Sequence, residues 1–166
     1  LLRYLNFQLF GVPFILFVGW LLAGVEASPG NSSLVFRVGI MLALGFAFLM
    51  AVFPFHSWLP MMAEVVHPFS YAFIVFLLPF GASIFGLGFF ERFAWLREIQ
   101  GLNQALPMVG ALIATIGGLW AAIQSNVGRQ LGFIMVNEIG LMLVAIGIGG
   151  QASVQSLFAL TIVRLL

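Results

Sequence analysis

The sequence contains no cysteine, no lysine and no aspartate. Without cysteine the chain can form neither a disulfide nor a thiolate metal site. All six positive side chains are therefore arginines and all five negative ones are glutamates. Arginine keeps its proton at any working pH, whereas a buried lysine can release one. We therefore expect any proton carrier in this chain to be a glutamate or a histidine.

Charge of either sign is scarce. Charged residues make up 7% of the 166 residues and hydrophobic ones 63%, whereas soluble domains have about a quarter and about half. One globular core of this size could not bury so much apolar surface, but a lipid bilayer can. The formal net charge of +1 offers no basic surface for a nucleic acid. These values predict an integral membrane protein that contacts lipid and binds no nucleic acid.

The familiar catalytic and cofactor motifs are also missing. The sequence has no HExxH, no GxSxG, no P-loop and no dinucleotide-binding fingerprint. We therefore predict that this chain holds no cofactor and no metal, and that it carries no catalytic residue of its own.

Long apolar runs predict an all-α integral membrane fold with about six spans in one transmembrane domain over residues 1–166. The chain opens without a methionine and stops inside an apolar run, so we expect a fragment of a longer subunit. The predicted spans are Leu5–Gly24, Leu34–Phe53, Phe69–Phe90, Leu106–Gln124, Leu131–Gly149 and a sixth from near Val154 onwards.

The stretch FPFHSWLPMMAEVVHPFSYAF, residues 53–73, interrupts this pattern. We predict a short helix from Ser57, as its N-cap, to Val66. The break at HPF follows because the residue before a proline avoids helical geometry. Pro60 and Pro68 mark this broken helix, and Pro79 is expected to distort the next one. Membrane proteins tolerate such breaks where protein or a hydrated cavity shelters them.

Glu138 lies near the middle of the run LGFIMVNEIGLMLVAIGIG. A carboxylate at the centre of a bilayer costs several kcal/mol unless it is paired, hydrated or protonated. Burial favours the protonated form of such a group, which makes Glu138 a candidate proton carrier. The alternative is a polar contact between helices that Glu138 shares with Asn137.

Three further ionisable residues surround the predicted break, His56, Glu64 and His67. Glu64 and His67 are three residues apart, so one helical turn would bring them together if it continued that far. We take all three as candidate members of a proton relay. The alternative for His56 is that it lies at the membrane interface with Ser57 and only caps a helix.

Two arginines are candidates for electrostatic tuning. Arg129 follows the polar turn SNVG, where extension of its side chain towards water is the alternative explanation. Arg164 lies in the run LFALTIVRLL. If that helix continues, its guanidinium needs a carboxylate or carbonyl partner within the membrane; if the helix ends there, the side chain reaches the interface instead.

The segment FPFHSWLP resembles the PFH-x-WLP signature of the antiporter-like membrane subunits of respiratory complex I. That family also includes Mrp-type cation/proton antiporters and subunits of membrane-bound hydrogenases. HPFSYAF, FQLFGVPFIL and GLWAAIQSNVGRQLGFIMVNEIGLMLVAIGIG are similar to other family segments and occur in the family's order. The resemblance covers nearly the whole chain and implies an antiporter-like bundle with a discontinuous helix, working beside other membrane subunits.

The resemblance also implies a relay whose usual members this chain lacks. The family pairs a membrane glutamate with a lysine on a broken helix, and those positions fall on Gln8 and Pro79. Further lysines fall on Gly128 and among Leu49–Val52. Glutamine and proline carry no titratable proton.

Two other family positions keep an ionisable residue of another kind. Glu138 stands where many relatives have a histidine, and a later histidine position falls near Arg164. The path is therefore either rebuilt around Glu64, His67 and Glu138, or no longer conducts. The first reading is a subunit of a complex I-type assembly that takes part in proton translocation coupled to quinone reduction. The alternatives are a non-conducting subunit of a hydrogenase or inorganic-carbon uptake complex, and an Mrp-type antiporter subunit.

Overall fold

The computed structural model describes residues 2–28, 32–52, 54–93, 95–96 and 102–165. Within these ranges the regular structure is helical, with no strand. The elements are α1 (Leu2–Ala27), α2 (Ser32–Leu49), a 3₁₀ turn (Phe55–Ser57), α3 (Trp58–Val65), α4 (Pro68–Arg92), α5 (Leu102–Ile123), α6 (Val127–Ile148) and α7 (Gly150–Leu165).

Four of these helices are long and apolar enough to cross a membrane, namely those over Leu5–Ala27, Pro68–Arg92, Gln104–Ile123 and Val127–Ile148. Two shorter apolar helices cover Ser33–Leu49 and Gly150–Val163. The prediction of an all-α integral membrane bundle is therefore confirmed. Large side chains such as Leu16 and Trp20 remain mostly exposed, as is usual for surfaces that face lipid or neighbouring membrane helices.

Helices α1 and α2 form an antiparallel pair. Gly11 of α1 faces Gly45 of α2, and a Cβ atom on Gly11 would lie 3.2 Å from the Gly45 carbonyl oxygen. Near the other end of the pair, Gly24 lies beside Leu34. Small residues that let two backbones approach closely are typical of helix pairs in lipid.

Helix α2 ends at Leu49, earlier than the predicted end at Phe53. The chain turns at Ala51, whose φ of 55° lies in the left-handed region. The Val52 amide then donates to the Ala47 carbonyl at 2.9 Å. Alanine rarely adopts that conformation, so the turn could not be predicted from the residue type.

Helices α5 and α6 form the most extensive helix pair. Glycines lie at the contact on both sides: a Cβ atom on Gly110 would lie 2.7 Å from the Gly140 carbonyl oxygen, and one on Gly117 would lie 2.6 Å from the Asn137 amide nitrogen. The amide of Asn137 also donates to the Ala114 carbonyl at 3.1 Å. The two backbones are therefore nearly in contact along most of their length.

The largest apolar cluster lies where α3, α4 and α6 meet, and includes Trp58, Tyr71, Val75 and Ile139. Helix α4 contacts α6 through Ser83, whose hydroxyl donates to the Pro79 carbonyl at 2.7 Å and touches the Met142 sulfur at 3.4 Å. A cavity of about 520 Å³ lies between α2, α4, α5 and α6, and Leu143 and Ile146 of the same cluster line it. Its lining is apolar and includes none of the candidate relay residues.

Candidate functional site

The helix through the signature segment is interrupted, as predicted. Helix α3 ends at Val65, and Val66 is extended with φ −91° and ψ 147°. His67 has ψ 133°, and Pro68 opens α4. The extended geometry before Pro68 is what the proline demands. Pro60, by contrast, lies in the first turn of α3 and Pro79 inside α4, so neither marks the break itself.

The interruption separates Glu64 from His67. Because the helix ends at Val65, the turn that would place these two side chains together does not form. His67 caps α4 instead: its Nδ1 atom accepts a hydrogen bond from the Phe69 amide at 3.3 Å.

The predicted start of the short helix at Ser57 is one residue from the observed one. Ser57 occupies the N-cap position of α3 but makes no side-chain cap, because its φ of −59° and ψ of −22° are already helical. The preceding His56 lies in the 3₁₀ turn, outside the four long spans. Burial lowers the pKa of His56 below the ordinary 6.5. As the pH falls below about 6.5, His56 binds a proton more readily in the unfolded chain than in the folded one, so the free energy of unfolding decreases.

Glu64 forms an ion pair with Arg129 of α6. The Arg129 Nε atom donates to Glu64 Oε2 at 2.8 Å, and the two side chains are 53% and 35% exposed for Arg129 and Glu64. The Asn126 amide donates to the other carboxylate oxygen, Oε1, at 3.4 Å. Arg129 therefore has a carboxylate partner, which extension into water alone would not provide.

Asn126 connects this ion pair to the start of α6. Its Oδ1 atom accepts hydrogen bonds from the amides of Gly128 at 2.8 Å and Arg129 at 3.3 Å, which caps the helix. Asn126 was not among the predicted site residues, although an asparagine ahead of an apolar run is a recognised helix-start signal.

Two glycines of α6 let α3 approach closely. A Cβ atom on Gly128 would lie 2.9 Å from the Ala63 carbonyl oxygen, and one on Gly132 would overlap the backbone of Pro60. Helices α3 and α6 therefore run antiparallel in contact over one to two turns, with the Glu64–Arg129 pair at the edge of the contact. We refer to this pair below as the α3–α6 ion pair.

Glu138 lies at the middle of α6, within the span Val127–Ile148. Its residue is partly buried, and its Oε2 atom is shielded from solvent. The other charged residues of the four long spans, Glu26, Glu91, Arg92 and Arg129, lie in the first or last turn of their helices. In the described part of the chain, Glu138 is therefore the one acidic or basic side chain near the centre of a long span.

Asn137, the residue before Glu138, makes a polar contact between two helices. Asn137 points at α5 and bonds the Ala114 carbonyl. Because successive helix residues point about 100° apart, the Glu138 side chain leaves α6 in a different direction from that of Asn137. The backbone of α7 is helical at Arg164, but the side chain of Arg164 lies outside the described part of the structure.

The resemblance predicts the relay pair at Gln8 and Pro79, and both residues make structural contacts in this chain. The Gln8 amide donates to the Leu49 carbonyl at 3.3 Å, a bond that satisfies the end of α2. Pro79 is buried in α4, and its carbonyl accepts the Ser83 hydroxyl. Among the described residues no three histidine or carboxylate side chains lie close enough together to hold a metal ion.

Comparison with known families gives one match that covers most of the chain. Residues 21–166 match the transmembrane family described as NADH:quinone oxidoreductase/Mrp antiporter. The chain belongs to this family. It is an integral membrane protein of the kind found in energy-transducing membranes.

Individual relatives agree with that assignment. NADH-quinone oxidoreductase subunit N of Acidithiobacillus ferrooxidans is 30% identical over 145 residues, 84% of this chain and 28% of that protein. Subunit N of Cytophaga hutchinsonii is 33% identical over 137 residues, 82% of this chain and 30% of that protein. The chloroplastic NAD(P)H-quinone oxidoreductase subunit 5 of Poa pratensis is 32% identical over 119 residues, 72% of this chain and 16% of that protein.

The chain thus spans less than a third of the length of these antiporter-family relatives. No solved structure matches it.

Proposed function

We propose that this chain is part of an antiporter-like membrane subunit in a complex I-type assembly, where it takes part in proton translocation coupled to quinone reduction. Membership of the NADH:quinone oxidoreductase/Mrp antiporter family supports this function. So do the names of relatives, which are subunits of quinone oxidoreductases in bacteria and chloroplasts. Its partners are then the other membrane subunits of that assembly and the surrounding lipid.

The observation that carries the proposal is the position of Glu138. A carboxyl group at the middle of a membrane span, with one oxygen shielded from solvent, is costly to keep ionised. Such a group can take up a proton and release it when its surroundings change. We therefore assign proton transfer in this part of the subunit to Glu138.

The usual partners of such a relay do not titrate in this chain. Gln8 and Pro79 carry no titratable group at the two positions where the resembling family pairs glutamate with lysine. Gln8 also donates a hydrogen bond to the Leu49 carbonyl, and Pro79 is buried within α4. In our proposal Glu138 therefore works without the standard ion pair, and His56 and His67 remain secondary candidates near the ends of α3.

The proposal is tested by replacing Glu138 with glutamine in the complete complex, reconstituted into liposomes. Glutamine keeps the size and hydrogen-bonding shape of the side chain but cannot release a proton. We expect proton translocation to fall more than about tenfold, because general proton transfer by a positioned group is worth about 10²-fold or more. We expect Glu138→Asp, which keeps a carboxyl group, to retain part of the rate.

The matched control is Glu91→Gln, which makes the same chemical change in the last turn of α4. Translocation should be unchanged in this variant, and assembled complex should be equally abundant in all three. If Glu138→Gln pumps like the wild type, Glu138 is not the carrier.

A second candidate function is a non-conducting structural subunit of a related complex. The loss of titratable groups at Gln8 and Pro79 favours it. In that case Glu138→Gln would leave pumping intact while substitutions that separate the helices would reduce assembly. The same liposome experiment therefore separates the two functions.

A further inference from the structure

We infer that Glu64 is a positioning residue: through the α3–α6 ion pair it holds the end of the short helix α3 against the start of α6, and it does not itself carry a proton. This inference deepens the proposed function and rests on it. It concerns which carboxyl group of the chain moves protons and which one fixes the helices around the break.

Helix α3 cannot hold its place alone. It has eight residues, and helices shorter than about 12 residues are marginal without tertiary contacts. Its connection to α4 is an extended break at Val66 and His67, so the helical hydrogen bonds do not continue across it. The position of α3 must therefore come from its contact with its neighbours, above all with α6.

The two charges of the ion pair oppose the dipoles of their own helices. Glu64 lies in the last turn of α3, where the partial charge of the helix end is negative, and Arg129 lies in the first turn of α6, where it is positive. Each side chain is therefore unfavourably placed on its own helix. Once α3 packs on α6, the carboxylate lies at the positive end of α6 and the guanidinium at the negative end of α3. The arrangement is favourable only when the two helices are in contact.

The remaining hydrogen bonds have the same dependence on contact. Asn126 donates to Glu64 while its oxygen caps α6 through the Gly128 and Arg129 amides. Both oxygens of the Glu64 carboxylate are thus bound by groups at the start of α6. The absence of a Cβ at Gly128 and Gly132 allows this approach. Arginine does not release its proton, so the partner of Glu64 has none to pass on.

A charge exchange separates a positioning role from proton transfer. We would compare Glu64→Gln, Arg129→Gln and the double variant Glu64→Arg with Arg129→Glu in the complete complex. The readouts are the proton translocation rate as a function of pH and the hydrogen exchange of residues 58–67. In the exchanged variant position 64 holds an arginine, which can restore an ion pair but cannot carry a proton.

We expect each single variant to lower the rate by about three- to fivefold, in line with the modest strength of half-exposed ion pairs, and to speed hydrogen exchange of residues 58–67. The charge exchange should restore both to within about twofold, with the pH profile of the wild type. Glu91→Gln is again the matched control and should change neither readout.

Two results would overturn the inference. One is a loss of translocation beyond about a hundredfold in Glu64→Gln that the charge exchange does not recover. The other is unchanged hydrogen exchange in both single variants.

If the exchanged variant does not assemble, the double variant Glu64→Gln with Arg129→Gln decides. Its translocation should be no slower than that of either single variant, because both substitutions remove the same interaction. Additive losses of rate would contradict the inference. Hydrogen exchange remains informative even if Glu138→Gln pumps normally and the proposed function fails.

Discussion

The two ends of α6 are held by different kinds of contact. From its middle to its C-terminal end α6 packs on α5, another long membrane helix, through Gly110 and Gly140 and through one partly buried polar bond from Asn137. Towards its N-terminal end it packs on α3, an eight-residue helix, through Gly128 and Gly132 and a half-exposed ion pair. One contact depends on shape, and the other on shape and charge together.

The difference bears on where this part of the molecule can change. Close apolar packing in lipid is continuous along α5 and α6 and does not respond to charge. The contact with α3 includes an ion pair that water and nearby charges can weaken. In the sequence of α6, Glu138 lies between Gly132, which contacts α3, and Gly140, which contacts α5. We therefore expect α3 to change its position on α6 more readily than α5 does.

The largest effect is expected from breaking the α5 contact. In Gly140→Ala the new methyl group would overlap the backbone of Ala114 and lie 2.6 Å from the Gly110 carbonyl oxygen. Neither backbone can yield easily, so we expect a loss of more than about 2 kcal/mol in stability and little assembled complex. The measurement is the amount of complex on native gels and its thermal midpoint after solubilisation.

The control for this variant is Gly81→Ala in α4. A Cβ atom at Gly81 would meet nothing within 4 Å, so this change should be neutral or stabilise the helix by about 0.5–1 kcal/mol. Equal assembly of the two variants would show that the α5–α6 contact is not set by close backbone approach.

A smaller effect is expected from the corresponding change in the α3 contact. Gly132→Ala places a methyl group against the Pro60 backbone, but the short helix α3 can shift to accommodate it. We expect a loss of about 1 kcal/mol, normal assembly, and faster hydrogen exchange confined to residues 58–67. A loss of assembly as severe as that of Gly140→Ala would mean that α3 is held as rigidly as α5.

Much of this arrangement can be predicted from the sequence because local rules decide it. The apolar runs predict the long helices, and Pro68 predicts the break, since the residue before a proline avoids helical geometry. The ends of helices were less accessible. The predicted start of α6 at Leu131 followed hydropathy, whereas the capping by Asn126 starts the helix at Val127 and brings Arg129 into it. The early end of α2 depends on a left-handed Ala51, which no residue preference indicates.

The α3–α6 ion pair could not be predicted, because its residues are 65 positions apart in sequence. Sequence spacing instead favoured a meeting of Glu64 with His67, which the break prevents. Only the docking of α3 on Gly128 and Gly132 brings Glu64 to Arg129. The position of Glu138 was different: it depended on its place within one apolar run, and the structure has it at the middle of the corresponding helix.

The central claim is that Glu138 changes its protonation state while the complex works. Isotope-edited infrared difference spectroscopy on the complete complex, with labelled glutamate, observes a carboxyl group directly. We expect a protonated-carboxyl band that appears and disappears with quinone turnover and is lost in Glu138→Gln but kept in Glu91→Gln. The same band persisting unchanged in Glu138→Gln would contradict the account.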